Sequence, residues 1–385
     1  MTGLEKTITD EIKAAGPVTF ARFMELALYH PEQGYYASGR AAIGRSGDFY
    51  TSPHTGPVFG RLIYETFHKM SGRLSPGPAS FVEMGAGEGY LAKDFIEAMK
   101  GRGGDYRYII VENSGGMRAK QENTLGVLAP MVTWYGSVEE IPGPVNGVFF
   151  SNELVDAFPF HRVCQCRDAL KEMYINICAD GCLCEEMGAL STPDIPRHLN
   201  RIGVRLPAGV TTEVCLGASG WMRSVAGKLA RGFVVTVDYG YTSEEYYMPE
   251  RTRGTMMCYR RHAANEEPLL RVGGQDITAH VDFSSLALSG SEAGLTPVLY
   301  TDQTSFLMEA ACGLEAALKG GPGAQEELEN LGMGLKPLVH PEWMGGAFKV
   351  LVQSKGVDAS GLYVMAKDRT RELLRRRAGG SFTLS

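Results

Sequence analysis

Phe81-Val82-Glu83-Met84-Gly85-Ala86-Gly87-Glu88-Gly89-Tyr90 is the stretch that decides the fold. A short apolar run meets a glycine-rich turn, and a helix-compatible stretch follows to Lys100. Glycines at such a strand-to-helix turn let the backbone approach a ligand, and an acid about 20 to 30 positions further on can grip a ribose. Glu112, at the end of Arg107-Tyr108-Ile109-Ile110-Val111-Glu112, stands at that place. The spacing is G-x-G-x-G with an acid two positions ahead, whereas the dinucleotide fingerprint is G-x-G-x-x-G without that acid. The expected cofactor is therefore S-adenosylmethionine rather than NAD.

A glycine trio by itself also fits a plain chain reversal, and the neighbouring pattern decides between the two. Strands are expected at Met131-Val132-Thr133-Trp134-Tyr135, at Val148-Phe149-Phe150, and at Phe233-Val234-Val235-Thr236-Val237 ending in Asp238. The polar run from Ser114 to Leu125 reads as a helix. β and α thus alternate, as a doubly wound sheet requires.

The chain has 385 residues, 44% of them hydrophobic, enough for one large core or two ordinary ones. With 38 basic and 44 acidic residues, the net charge of −6 argues against a broad electrostatic grip on nucleic acid or an anionic membrane. The start MTGLEKTITDEIKAAG lacks an apolar leader core, and no run approaches the roughly 18 apolar residues of a membrane span. A cytoplasmic protein without membrane insertion is expected. Five of the eight cysteines crowd together: Cys164, Cys166, Cys178, Cys182 and Cys184. Their C-x-C and C-x-x-x-C spacings are not paired zinc knuckles, so no metal is expected. Alternation around them reads as hairpin strands, with Ala179-Asp180-Gly181 as a turn and cysteine as a small hydrophobe. In the cytosol these thiols would stay reduced.

Residues 1–78 read as a mostly helical lead-in with a cofactor-closing loop, bounded by Ser75-Pro76-Gly77-Pro78. Residues 79–385 read as the sheet domain, interrupted at about 161–231 by the cysteine hairpins and a helix near Trp221 to Arg231. Helices are also expected around Asp282 to Leu288 and Gln303 to Leu318, with Asp282 as an N-cap. Phe348 to Gln353 is a closing strand. The basic run Lys367 to Arg377 reads as a solvated terminal helix.

Several segments together resemble the MidA family. They are Phe20-Ala21-Arg22-Phe23-Met24-Glu25-Leu26-Ala27-Leu28-Tyr29-His30-Pro31, then Gly34-Tyr35-Tyr36, Gly47-Asp48-Phe49-Tyr50-Thr51-Ser52-Pro53, the turn EMGAGEGYLA, Ser151-Asn152-Glu153-Leu154-Val155-Asp156-Ala157-Phe158-Pro159 and Gln275-Asp276-Ile277-Thr278-Ala279-His280-Val281-Asp282-Phe283. The resemblance implies an α/β, Rossmann-like class I S-adenosyl-L-methionine-dependent methyltransferase with a helical N-terminal segment and an α+β insertion. For the mitochondrial members, which are complex I assembly factors, the acceptor is a protein arginine. A protein partner such as a complex I subunit is thereby implied. The sequence departs from those members at His54, where they carry an acid, and at Ala86 and Glu88, where they carry Pro and Arg.

The chemistry of Asn152-Glu153-Leu154-Val155-Asp156 points the same way. A guanidinium stays protonated at physiological pH, so its nitrogen accepts a methyl group only if carboxylates orient it and take a proton. On a first helical turn, Glu153 and Asp156 would share one face at the carboxyl end of the sheet, as the catalytic pair. The alternative is that Asn152 caps a helix whose positive end the two acids favour. The cofactor site is expected to comprise Glu83, Gly85, Ala86, Gly87, Gly89, Glu112, Asn113 and Asn152, with Ser137 beside the adenine and Asp48, Thr51 and Ser52 in a loop closing over it. His262 and His280 could face the acceptor or be structural, and His161 could simply open a strand. Two other functions remain open: methylation of a small molecule or of another nitrogen, and an assembly chaperone that binds the cofactor without turnover.

Overall fold

The central sheet is built on seven strands, numbered β1 to β7 along the chain: Ser80–Met84, Arg107–Val111, Val132–Tyr135, Val145–Asn152, Leu229–Tyr241, Thr296–Asp302 and Phe348–Lys355. In the computed structural model, which describes residues 2–37, 52–74, 77–102, 106–318, 324–340 and 344–373, their order is β3-β2-β1-β4-β5-β7-β6. β1 to β5 run parallel, and β7 lies antiparallel between β5 and β6. The short strand Val281–Asp282 pairs with the far end of β5. Strands buried on both faces split their side chains by parity. Phe81 and Tyr108 face one core, while Val82 and Ile109 face the other.

The longer helices among the described residues are α1 Gly3–Ala15, α2 Phe20–Tyr29, α3 Val58–Ser71, α4 Tyr90–Arg102, α5 Gly115–Leu125, α6 Leu216–Lys228, α7 Phe283–Glu292, α8 Gln303–Leu318 and α9 Ala324–Val339. Apolar residues of α3, α4, α8 and α9 fill the first core, where Phe67, Phe81 and Phe95 meet ring to ring. α6 and α7 fill the second through Met222, Val225, Phe283 and Leu286. Ser114 and Asp282 cap α5 and α7, their side chains accepting from Met117 N and Ser285 N. The expected helix near Trp221 to Arg231 ends at Lys228, because β5 already begins at Leu229. Of the expected terminal helix, Lys367 to Arg369 are not helical, Thr370–Leu373 are, and the rest lies outside the described residues.

A second sheet joins the lead-in to the insertion. His161–Gln165, Leu170–Ile177, Leu183–Gly188 and Thr211–Val214 form it, and Val18–Thr19 adds to its edge through Val18↔Ile175. Beneath it, α1 and α2 bury Ile8, Phe20 and Phe23 against Phe160, Ile175 and Ile277. α3, by contrast, belongs to the core of the large sheet. A third sheet contains Met257–Arg260, Ala263–Asn265 and Asp276–Thr278.

The cysteines depart from expectation at one place. Cys178 and Cys184 form a disulfide rather than two reduced thiols, with Cα atoms 5.9 Å apart. The pairing Asn176↔Cys184 puts Cys178, two residues beyond Asn176, on the same face and diagonal to Cys184. Cys164 and Cys258 are buried as small apolar residues. No group of His, Cys, Asp and Glu among the described residues could hold a metal ion, and none of their helices is long and apolar enough to cross a membrane.

Candidate active site

The turn after β1 stands where the strand order reverses between β1 and β4, the crevice that doubly wound sheets offer to ligands. Gly85, Gly87 and Gly89 have φ of 67°, 52° and 88°, a region glycine enters without steric cost. At Gly89 a Cβ would stand 3.1 Å from the Cα of Gln121, so the turn and α5 could not approach as they do. Gln121 is fully buried and ties the region together. Its Nε2 donates to Gly87 O and to Glu112 Oε2, both at 3.0 Å, and its Oε1 accepts from Trp134 Nε1. Glu112, one residue past β2, also accepts from Ser114 N at 2.9 Å. Glu83 accepts from the Tyr108 hydroxyl at 2.7 Å, and burial pushes its carboxyl up to about 7. Burial raises Glu112 as well, against the hydrogen bonds from Ser114 and Gln121.

Glu83, Gly85, Ala86, Gly87, Glu112 and Asn113 line a cavity of about 850 Å³, while Gly89 and Gln121 are not on its wall. Asn152, Glu153 and Phe158 line it too, with Tyr29 and Tyr36 from the lead-in and Trp221 from α6. Asn152 Oδ1 is buried with no hydrogen-bond partner among the described residues. The Trp221 indole N–H is buried and unpartnered in the same way. Five glutamates line the cavity (Glu25, Glu83, Glu88, Glu112 and Glu153), and no Lys or Arg does among the described residues.

The expected helical turn at 152–156 does not form. Glu153 instead takes φ 52°, a left-handed backbone unusual for a residue with a side chain, and the following residues run as a loop to Pro159. The loop is anchored by Asp238, fully buried near the end of β5. Its Oδ2 accepts from Leu154 N, Val155 N and Asp156 N at 3.2, 2.9 and 3.3 Å, while Oδ1 accepts from Tyr239 N at 2.8 Å. One carboxylate thus supplies the acceptor for N–H groups that a helix start would leave open.

This loop separates the two acids that the sequence paired. Glu153 lines the large cavity and accepts from Asn152 Nδ2 at 2.9 Å and from the Ser52 backbone N–H. Burial pushes it up to about 8, with Asp238 and Asp276 adding to the rise. Asp156 turns inward to a small cavity of about 30 Å³ lined also by Glu213, His198 and His280. Burial, then the neighbouring Asp238, Asp276 and Glu153, hold its carboxyl well above the ordinary range. Asp156 therefore does not share the catalytic face expected for it.

Other candidates fall as follows. Ser52 lies behind the cavity, its hydroxyl donating to Gln303 Oε1 at 3.1 Å. Asp48 and Thr51 lie outside the described residues. Ser137 is not on the cavity wall; Gly136, one residue nearer β3, is, because the chain turns away after that strand. His161 opens a strand and pairs with buried Glu172 at 2.7 Å. His280 stacks on Tyr241 and lines the small cavity, and His262 is exposed. His54 and Glu88, two of the positions that depart from the mitochondrial pattern, face each other at 3.9 Å, and Lys120 reaches Glu88 at 3.1 Å. Sequence reading assigned no role to Gln121, Asp238 or Trp221. Only Gln121 carried a local signal, a polar residue on the buried Met117, Gln121, Leu125 face of α5.

A family model described as "Putative S-adenosyl-L-methionine-dependent methyltransferase" matches residues 58–301. A protein from Burkholderia thailandensis, crystallised bound to S-adenosyl-homocysteine, is 32% identical, with a TM-score of 0.85 over 96% of both chains. Curated relatives include the mitochondrial protein arginine methyltransferase NDUFAF7 homologs of Caenorhabditis elegans, 28% identical over 82% of this chain and 78% of the relative, and of Drosophila melanogaster, 27% identical over 93% and 86%. Glycine turn and strand order agree with this match, and the chain belongs to the MidA family of S-adenosyl-L-methionine-dependent methyltransferases, with S-adenosyl-L-methionine as its cofactor.

Proposed function

We propose that this protein methylates an arginine nitrogen of a protein acceptor. The observation that carries the reading is a cavity whose wall combines Glu153 with the aromatic side chains of Tyr29, Tyr36, Phe158 and Trp221 and has no Lys or Arg among the described residues. Such a wall favours a planar cation, which aromatic faces and carboxylates both attract. The arginine specificity named for the mitochondrial relatives supports it. On this reading Gly85, Ala86, Gly87 and Gly89 admit the methionine part of the cofactor, Glu83 orients it, Glu112 and Asn113 hold the ribose, and Asn152 offers its free oxygen. The bound cofactor supplies an electrophilic methyl carbon.

Glu153 acts on the acceptor. A guanidinium beside it lowers a carboxyl that burial has raised, so the anion forms when the cation arrives. The anion then orients the guanidinium and takes the proton that the nitrogen gives up as it gains the methyl group; the methylated guanidinium would keep its positive charge and S-adenosylhomocysteine would leave. A complex I subunit is the acceptor class to examine first. The test is mass spectrometry of arginine-, lysine- and histidine-centred peptides incubated with enzyme and cofactor, and of respiratory proteins from cells with and without the gene. Methylarginine alone is expected. Transfer only to lysine, histidine or small amines, or cofactor binding with no transfer to any acceptor, would replace this reading by one of the other two functions.

A further inference from the structure

Glu153 is the acid that reaches the cavity, yet nothing in its own neighbourhood in sequence explains its backbone. A side-chain-bearing residue at φ 52° persists only where its surroundings impose that conformation. The loop that carries it is anchored on both sides by β5. Glu153 N donates to Val237 O at 2.9 Å, and the next three N–H groups converge on a single oxygen of Asp238. Asp238 is fully buried and does not line the cofactor cavity. Its second oxygen is engaged by Tyr239 N. An uncharged replacement loses at least one of these contacts: an amide turns its NH2 either on three donors or on one.

We infer that Asp238 is the positioning residue for Glu153, a side chain that touches neither cofactor nor acceptor but holds the acceptor-facing carboxylate at the cavity wall. It does so in two ways. Its Oδ2 fixes the 153–156 backbone, and its carboxylate, with Asp276, adds to the rise that burial gives the Glu153 carboxyl. The groups facing Glu153 are Asp238 and Tyr239 from β5, Asp156 from its own loop, Asp276 from Asp276–Thr278, and the Asn152 amide and Ser52 N–H as donors. The inference rests on the reading of Glu153 as the acceptor's carboxylate.

The experiment is a double-mutant cycle in full-length enzyme, comparing Asp238→Asn, Glu153→Gln and the double variant for kcat, acceptor KM and S-adenosylhomocysteine affinity. Asp238→Asn is expected to lower kcat about 10- to 100-fold, with S-adenosylhomocysteine affinity within about 3-fold of wild type and little added loss in the Glu153→Gln background. The acid limb of its kcat/KM profile should move to lower pH, a shift that a merely structural residue would not give. Equal losses in both backgrounds, or unchanged kcat, overturn the positioning role. Should Asp238→Asn fail to fold, Asp238→Glu, which keeps the charge but displaces it by one methylene, is read in the same cycle with the same criteria. If Glu153→Gln alone transfers at the wild-type rate, the function assigned to Glu153 fails, whatever Asp238 does.

Discussion

Replacing Glu153 by glutamine should cost activity and, as pH rises, return stability. Burial raises the folded carboxyl from 4.5 to about 8. Between those values the folded chain holds a proton that the unfolded chain has released, so this group makes the fold progressively less stable as pH rises. At about 1.4 kcal/mol per pKa unit the whole shift corresponds to roughly 5 kcal/mol. Because the side chain opens onto the cavity, we take about half, 2–3 kcal/mol. The substituted amide titrates nowhere in this range. It does place either an NH2 group or a shared oxygen before Ser52 N–H, a cost of about 1–3 kcal/mol that does not change with pH. The signature is therefore the difference between the two proteins: the melting temperature of Glu153→Gln relative to wild type should rise by about 2–4 °C from pH 5 to pH 8.5. Glu83 and Asp238, also raised by burial to about 7, are common to both proteins and cancel to first order. Thermal unfolding at stepped pH, beside S-adenosylhomocysteine calorimetry to verify the pocket, measures it. Parallel stability curves over this range would show that Glu153 is already ionised in the free enzyme, and the account of its activation by the arriving cation would fall.

Two shorter predictions concern the walls of the cavity. Gly87→Val puts a β-branched side chain at φ 52° in the cofactor turn, and a folded variant should lose S-adenosylhomocysteine binding by at least about 100-fold in calorimetry; unchanged binding would move the cofactor elsewhere. Trp221→Ala removes an aromatic face of the cavity wall, so acceptor KM should rise about 10-fold with cofactor affinity unchanged; a change confined to cofactor affinity would assign Trp221 to the cofactor instead.

Local pattern carried much of this molecule. Glycine spacing, the acid after β2, the alternation of apolar runs with polar helical stretches and the caps Ser114 and Asp282 are short-range signals, because each rests on backbone geometry over a few residues. β6 escaped notice: Thr296-Pro297-Val298 places proline in an edge strand, where a missing N–H is tolerated but a strand pattern is blurred. Pairing of Val18–Thr19 with Ile175 and Tyr174 was equally hidden, since two residues show no periodicity. The active site divides along the same line. Residue types at 83, 85, 87, 112 and 153 could be read directly, but the form of the loop after β4 could not. Its N–H groups are satisfied by a carboxylate 82 to 84 residues away, and no propensity within five residues encodes that partner. Sequence set which acids were present; only the folded chain decided that Glu153 faces the cavity and Asp156 the interior, because the loop that carries them is anchored to a buried carboxylate on β5 that only the tertiary fold brings alongside.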